Sequence, residues 1–484
     1  MTFEKKRLEA IRSNVKDQIL IVNDVRSTKA YKSIEGFHYV KNQKGTGKVQ
    51  NIAKALNHVC RQPDAEITSQ DPMEALLGLQ VELNSELNSI ESVLERYSSC
   101  VSLFQKIWEA KNSGQGVICI FAPLEEMDMP DGYSRRVKNI DSQLDKAILR
   151  VYVAKAIGIK DSWPYYSIKS ENYISIRYDA LNKEQCSFVT MIAHLIGVCY
   201  IHSVYQALSP IIQNPSIIKL YDFHGVVPEE LRLMEREEES QLYNRLEEIL
   251  VKNVNYIIAA NLAMKKHILN KYPECNAEFI IMPMNNDDNT QDENMSENIE
   301  ELGHEENVPQ KPIVIYSGGL QGWQLISEMQ DAICKQRENC EFRLYVSDPK
   351  EFIRLWGERA YPEKWEITTK TAEELREAYK QAQYGFVLRD DIIVNNVACP
   401  TKLIDYIKYD IIPILKSPNI GDFNRYGLKY LPIKDFLENK FPTNEEKKKM
   451  CKNNKEIILN ILEEYRHGRD RVIEIINESC NIQK

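Results

Sequence analysis

Paired cysteine motifs are missing from this chain. Its eleven cysteines are scattered, with no CxxC among them. That leaves a zinc site without support, and an odd-numbered set argues for reduced thiols over a disulfide framework. Long apolar runs are missing too. The longest, Cys186 to Val204, is broken by His194, Gly197 and His202, so it reads as helix then strand and not as a membrane span. The opening residues, MTFEKKRLEAIRSNVKD, are charged with no apolar stretch behind them, so no signal peptide is expected and the expected compartment is the cytoplasm. Basic residues are not in excess. Lys and Arg number 62 against 71 Asp and Glu, a formal net charge of -9, which disfavours nucleic acid as the main partner. The GTGK at 45–48 lacks the GxxxxGK[ST] spacing of a phosphate loop and reads as a surface turn before a helix.

What is present is an ordinary globular composition, 43% hydrophobic and 27% charged, over 484 residues. That length predicts two or three domains. Residues 1–113 read as an N-terminal extension, largely helical. Within it QILIVN (18–23) suggests a strand, and apolar residues at three- and four-residue steps from Asp71 to Lys111 predict a helical hairpin or one long helix. From 114 to 284 strands and helices alternate, which predicts a parallel sheet covered on both faces. One long charged helix is expected after Pro228. Residues 285–310 contain no Lys or Arg and read as an acidic linker or mobile loop. A second alternating series occupies 311–440, with Thr371 and Glu374 spaced as a capping box. Residues 441–484 predict a C-terminal helix with at most one break, near Gly468.

The most informative stretch is YGFVLRDDIIVNNVACPTKLIDYIKYDIIPIL, 384–415. An apolar strand ends in Arg389, Asp390 and Asp391. Pro400 and Thr401 open a helix that carries Lys402 and Asp405 three residues apart. A charged loop between a strand and a helix start is where open α/β sheets bind ligands, often phosphates. Arg389 is either a phosphate ligand or a surface ion pair with Asp390 or Asp391. Lys402 is either an anion contact or a solvated helix lysine. His202 and His224 each follow an apolar strand, where a histidine either meets a ligand or is a satisfied structural residue. Asp222 either orients His224 or is exposed. Gly132 and Tyr133 sit at a helix start that can approach a phosphate or an acceptor. Glu229 and Glu230 follow Pro228 in a first helical turn, where acids complement the dipole.

ACPTKLIDYIKYDIIPIL resembles the PTKxxEYxxxGxPVI signature of bacterial retaining glycosyltransferases of the family-four type. YSGGLQGWQ resembles that family's first glycine-rich turn. YIHSVYQAL and KLYDFHGVVPEE resemble its two His-bearing strand ends, and MPDGYSRRVKNID its first βα loop. The resemblance covers about 114–440. It implies an α/β fold of the GT-B kind, two Rossmann-like domains with a cleft between them. It also implies sugar transfer, with retention, from a nucleotide-diphosphate donor to a glycan, lipid-linked or protein acceptor. No metal or other cofactor is implied; peripheral membrane association, at the inner face, and oligomeric state stay open. On this resemblance His202, His224, Arg389 and Lys402 are the catalytic candidates. Gly132, Tyr133, Gly318, Gly319, Arg389, Asn396, Pro400, Thr401, Lys402 and Asp405 are the donor-site candidates, with Asp405 at the position assigned to the ribose hydroxyls. The chain departs from the pattern at three places. Val397 stands where the family has an upstream Glu, Gln321-Gly322-Trp323 replace a basic pair, and Asp410 replaces a glycine. A non-catalytic transferase-like subunit and a sugar-nucleotide epimerase are the alternatives.

Overall fold

The computed structural model of the chain describes residues 72–122, 132–156, 164–202, 204–284, 311–357, 359 and 365–480, with scattered helical residues between 9 and 23. The GTGK turn and the acidic segment 285–310 lie outside the described residues.

Two sheets organise the molecule. The first holds β1 (Val117–Phe121), β2 (Leu149–Lys155), β3 (Tyr165–Ser170), β4 (Tyr173–Tyr178), β5 (Val198–Ile201), β6 (Ile218–Phe223), β7 (Tyr256–Ala259) and β8 (Glu278–Ile281), in the order β3-β4-β2-β1-β5-β6-β7-β8. The second holds β9 (Ile313–Gly318), β10 (Glu341–Val346), β11 (Glu366–Thr368), β12 (Tyr384–Val387), β13 (Ile412–Leu415) and β14 (Leu431–Pro432), in the order β11-β10-β9-β12-β13-β14. Both are parallel except at β3, which runs antiparallel to β4. That edge strand corrects the all-parallel expectation; its side chains are mostly half-exposed to exposed, so it carries no buried apolar run to read.

Alternation along β1 shows how each sheet is covered twice. Val117, Cys119 and Phe121 enter one core while Ile118 and Ile120 enter another on the opposite face. The C-terminal helix, Asn444–Ser479, is unbroken and spans both halves. Ile457, Ile458, Ile461 and Leu462 pack in the second half, whereas Tyr465, Val472, Ile475 and Ile476 pack in the first. Gly468 does not break it. A Cβ there would stand 2.3 Å from the carbonyl oxygen of Ile281, so glycine lets the helix lie against β8.

Two further expectations are corrected. In the segment 18–23, expected as a strand, the described residues Ile19, Leu20 and Asn23 are helical. A short apolar run does not separate the two states, and here Lys16 and Asn23 meet the 41-residue helix Pro72–Asn112 through the Lys16–Glu91 pair and the Gln80–Asn23 bond. The charged helix after Pro228 is two helices, Val227–Leu233 and Glu237–Asn253, separated at Glu235, whose φ is +60°. Ser240 donates from Oγ to the Pro228 carbonyl and fixes the fold-back. Among the described residues no helix is long and apolar enough to cross a membrane.

The halves meet directly. Val394 and Val397, from the second, are buried in the first half's core. Asn261 donates to the Val397 carbonyl at 2.9 Å, and Asp422 accepts from the backbone N–H groups of Leu262 and Ala263 at 2.8 and 3.0 Å. A carboxylate of one half thus caps a helix of the other.

Candidate functional site

The second half brings two cations together at the carboxyl ends of β9 and β12. Arg389 follows β12 and is only 6% exposed. Its Nη1 donates to Asn395 Oδ1 at 3.1 Å, and its Nε has no hydrogen-bond partner. The surface-ion-pair reading of Arg389 is overturned: Asp390 pairs with Lys416, and Asp391 accepts from Asn396 and Asn419. Lys402 lies in the first turn of helix Thr401–Lys408, with Pro400 at the N-cap. It is not a solvated lysine either. Its Nζ donates to Gln324 Oε1 at 2.8 Å and stands 4.2 Å over the Tyr316 ring.

Burial and the charge of Arg389 push the Lys402 ammonium well below its usual range. Burial also lowers Arg389, to about 10, against the opposing charges of Tyr316 and Glu230. Among the described residues, the side-chain hydrogen-bond partners of both are neutral amides, Asn395 and Gln324. Two desolvated, mutually repelling cations without a counter-ion form a site shaped for an anion.

Gly318 and Gly319 border this site. A Cβ on Gly318 would lie 2.8 Å from Lys402 Nζ, and one on Gly319 would collide with Gln321. Tyr316 donates its hydroxyl to the Gly319 carbonyl, which fixes the turn. Asp405 sits one turn beyond Lys402, half-buried, where its charge acts on Tyr379 and Tyr406. Asn396 bonds Asp391 and so sits apart from Arg389; its neighbour Asn395 holds the guanidinium instead. Gln324 and Tyr316 were not singled out by sequence, because a polar residue's direction is not encoded in its spacing. At the usual Glu position, Val397 is buried apolar contact between the halves. Asp410, in place of the helix-terminal glycine, adopts φ +58° and is paired with Lys455.

The first half presents the histidines. β5 ends at Ile201 and β6 at Phe223, so His202 and His224 come next on neighbouring strands. His202 Nδ1 and His224 Nε2 are 2.9 Å apart, sharing a proton. Asp222 is not exposed. Its Oδ2 accepts from Arg136 Nε at 2.7 Å and the Tyr200 hydroxyl at 2.6 Å, and it lies 3.9 Å from His202 Nδ1. It is therefore closer to orienting His202 than His224. Burial would raise the Asp222 carboxyl, but Arg136 and the histidines hold it far below the usual range. Burial and His224 push His202 well down. Gly132 and Tyr133 open helix Gly132–Asp141, which delivers Arg136 to this cluster. Arg136 was likewise not singled out from the sequence.

Of the two acids after Pro228, Glu229 is taken by His267 and Lys271. Glu230 turns back over Gly225, where a Cβ would meet its Oε1 at 2.6 Å. Burial raises Glu230, while the Val226 backbone N–H holds it down and the charge of Arg389 reaches it from the other half. Among the described residues no side chain caps the start of helix Val227–Leu233, and Glu230 feels the charge of Arg389 instead.

No protein-family model and no curated protein sequence matches the chain. Solved structures do. Sucrose-phosphate synthase from Thermosynechococcus elongatus matches with a TM-score of 0.52 at 12% identity, covering 76% of this chain and 100% of that one. Anabaena HepE, solved in complex with UDP-glucose, matches at 0.50 and 11%, covering 76% and 100%. The N-terminal domain of Candida albicans trehalose-6-phosphate phosphatase matches at 0.50 and 11%, covering 76% and 97%. With two open, mainly parallel sheets and the likeness to these structures, the chain has the GT-B fold.

Proposed function

We propose that the chain is a glycosyltransferase that moves a sugar from a nucleotide-diphosphate donor to a glycan, lipid-linked or protein acceptor, with retention. The observation that carries this reading is the pairing of buried Arg389 with half-buried Lys402, neither of which has an ion-pair partner among the described residues. A diphosphate supplies that charge, and its departure in the reaction increases the charge that the two cations stabilise. They do for the leaving group what a metal does elsewhere, so transfer needs none. Gly318 and Gly319 allow the phosphates close to the backbone, and Asp405 takes ribose hydroxyls. His202 and His224, on the opposite strand ends, meet the sugar or the acceptor hydroxyl. UDP-glucose is the first donor to try, since HepE was solved with it. We place the reaction in the cytoplasm, with any lipid-linked acceptor met at the inner face of the membrane.

A second reading, binding without turnover, is favoured by the apolar burial of Val397 where a carboxylate is expected. Calorimetry with a panel of nucleotide sugars tests both. Folded protein that binds none of them overturns the proposal. Binding with no donor hydrolysis, and with none to lose in Lys402→Ala, leaves the second reading. Anomeric analysis of the product by NMR reports retention.

A further inference from the structure

The strand ends of β5 and β6 hold a cluster that sugar transfer uses only in part. His202, Asp222 and His224 each offer one ligand atom, and these atoms all lie within 4.8 Å of one another. The imidazole nitrogens are 2.9 Å apart, and Asp222 Oδ2 is 3.9 Å from His202 Nδ1. Two imidazoles and a carboxylate are a donor set for zinc-class ions. With metal–ligand bonds of about 2.0 Å, tetrahedral ligand atoms stand roughly 3.3 Å apart. The observed separations bracket that value, so small side-chain shifts suffice.

Three features point the same way. Asp222 is 1% exposed, yet its Oδ1 has no hydrogen-bond donor. A buried carboxylate oxygen in that state is costly unless something positive meets it. His202 Nδ1 and His224 Nε2, on the ends of neighbouring strands, converge on one another at 2.9 Å. His202 is buried but His224 is half-buried, which leaves one side of the cluster open. Arg136 opposes a cation, since its guanidinium already contacts Asp222 Oδ2. It also fixes the carboxylate, together with Tyr200, in the manner of an outer-shell partner. Glu230 folds back over Gly225, the residue after His224.

We propose that His202, Asp222 and His224 form a binding site for a divalent cation of the zinc class, separate from the anion site at Arg389 and Lys402. The site does not depend on the sugar-transfer reading. Occupancy replaces the His202–His224 hydrogen bond and removes both rings from proton transfer, so the ion acts as a brake on any chemistry they perform.

Co2+ titrated into the EDTA-treated full chain is the test. The expected result is one equivalent bound, with the visible absorption of low-coordinate Co2+, no thiolate charge-transfer band, and displacement by Zn2+. His224→Ala, at the half-buried member, is expected to weaken binding by about tenfold or more with unchanged circular dichroism. Absence of bound Co2+ in the native chain, a thiolate band showing that cysteines hold the ion, or unaltered affinity in a folded His224→Ala each overturns the proposal. The native spectrum decides even if the variant does not fold.

Discussion

A Cβ on Gly318 would stand 2.8 Å from the Nζ of Lys402, which itself rests over the Tyr316 ring. The turn after β9 and the helix after β12 are therefore fitted to each other at a single atom. Gly318 also has φ +151°, which a side chain resists. Gly318→Ala is expected to displace the ammonium and weaken nucleotide-diphosphate binding by about tenfold, with a stability loss of about 1–3 kcal/mol. Calorimetry with UDP and a thermal melt measure the two effects; unaltered affinity would separate Lys402 from the anion site.

Replacing Lys402 by methionine keeps much of the volume and removes an amine whose charged form the folded site disfavours. Lys402→Met is expected to raise the ligand-free melting temperature, by about 1–2 kcal/mol of stability, while losing the stabilisation that a bound nucleotide confers. A variant that melts lower than the parent without ligand shows that the ammonium is already compensated.

The depressed Lys402 titration gives ligand binding a pH dependence. Between its lowered folded-state value and the usual 10.5, the unfolded chain holds a proton that the folded chain does not. Stability from this residue therefore rises with pH through that window. An anion beside Lys402 favours the charged form, so diphosphate binding takes up a proton and affinity falls as pH rises. Binding heats in buffers of different ionisation enthalpy read the uptake; identical heats refute it.

Glu229 gives stability the same sign of pH dependence, but in the acid range. Burial raises its carboxyl, but His267 and Lys271 outweigh burial and hold it at about 2 against the usual 4.5. Its contribution is present above the usual value and lost as pH falls from there through about 2. Glu229→Gln is expected to flatten the acid limb of the stability profile in denaturant melts, and an unchanged limb would assign that limb to other groups.

Asp422 caps the helix Leu262–Lys271 from the other half of the molecule. Asp422→Ala is expected to cost about 1–2 kcal/mol and to loosen the junction, because two helix N–H groups lose their acceptor. Small-angle scattering reads the second effect as a larger radius of gyration.

Much of the architecture was legible before any coordinates. Buried parallel strands such as Val117–Phe121 and Ile412–Leu415 announce themselves as short apolar runs, and the capping box at Thr371 and Glu374 forms as spaced. Lys402, Arg389, His202 and His224 were also visible as charged or titratable groups at strand and helix ends. The partners were not. Asn395 rather than Asn396 or Asp390 holds Arg389, and Gln324 holds Lys402 from 78 residues away.

Local pattern thus determined which segments are strands and helices, since periodicity and turn chemistry act over a few residues. It also placed the polar groups that remain at the ends of those elements. Tertiary structure alone decided what each polar group faces. Arg136 reaches Asp222 across 86 residues, and the charge of Arg389 acts on Glu230 from the other half, which packs against the first through Val394 and Val397. Burial and charge environment depend on such distant contacts, and so the electrostatics of the site belong to the folded chain.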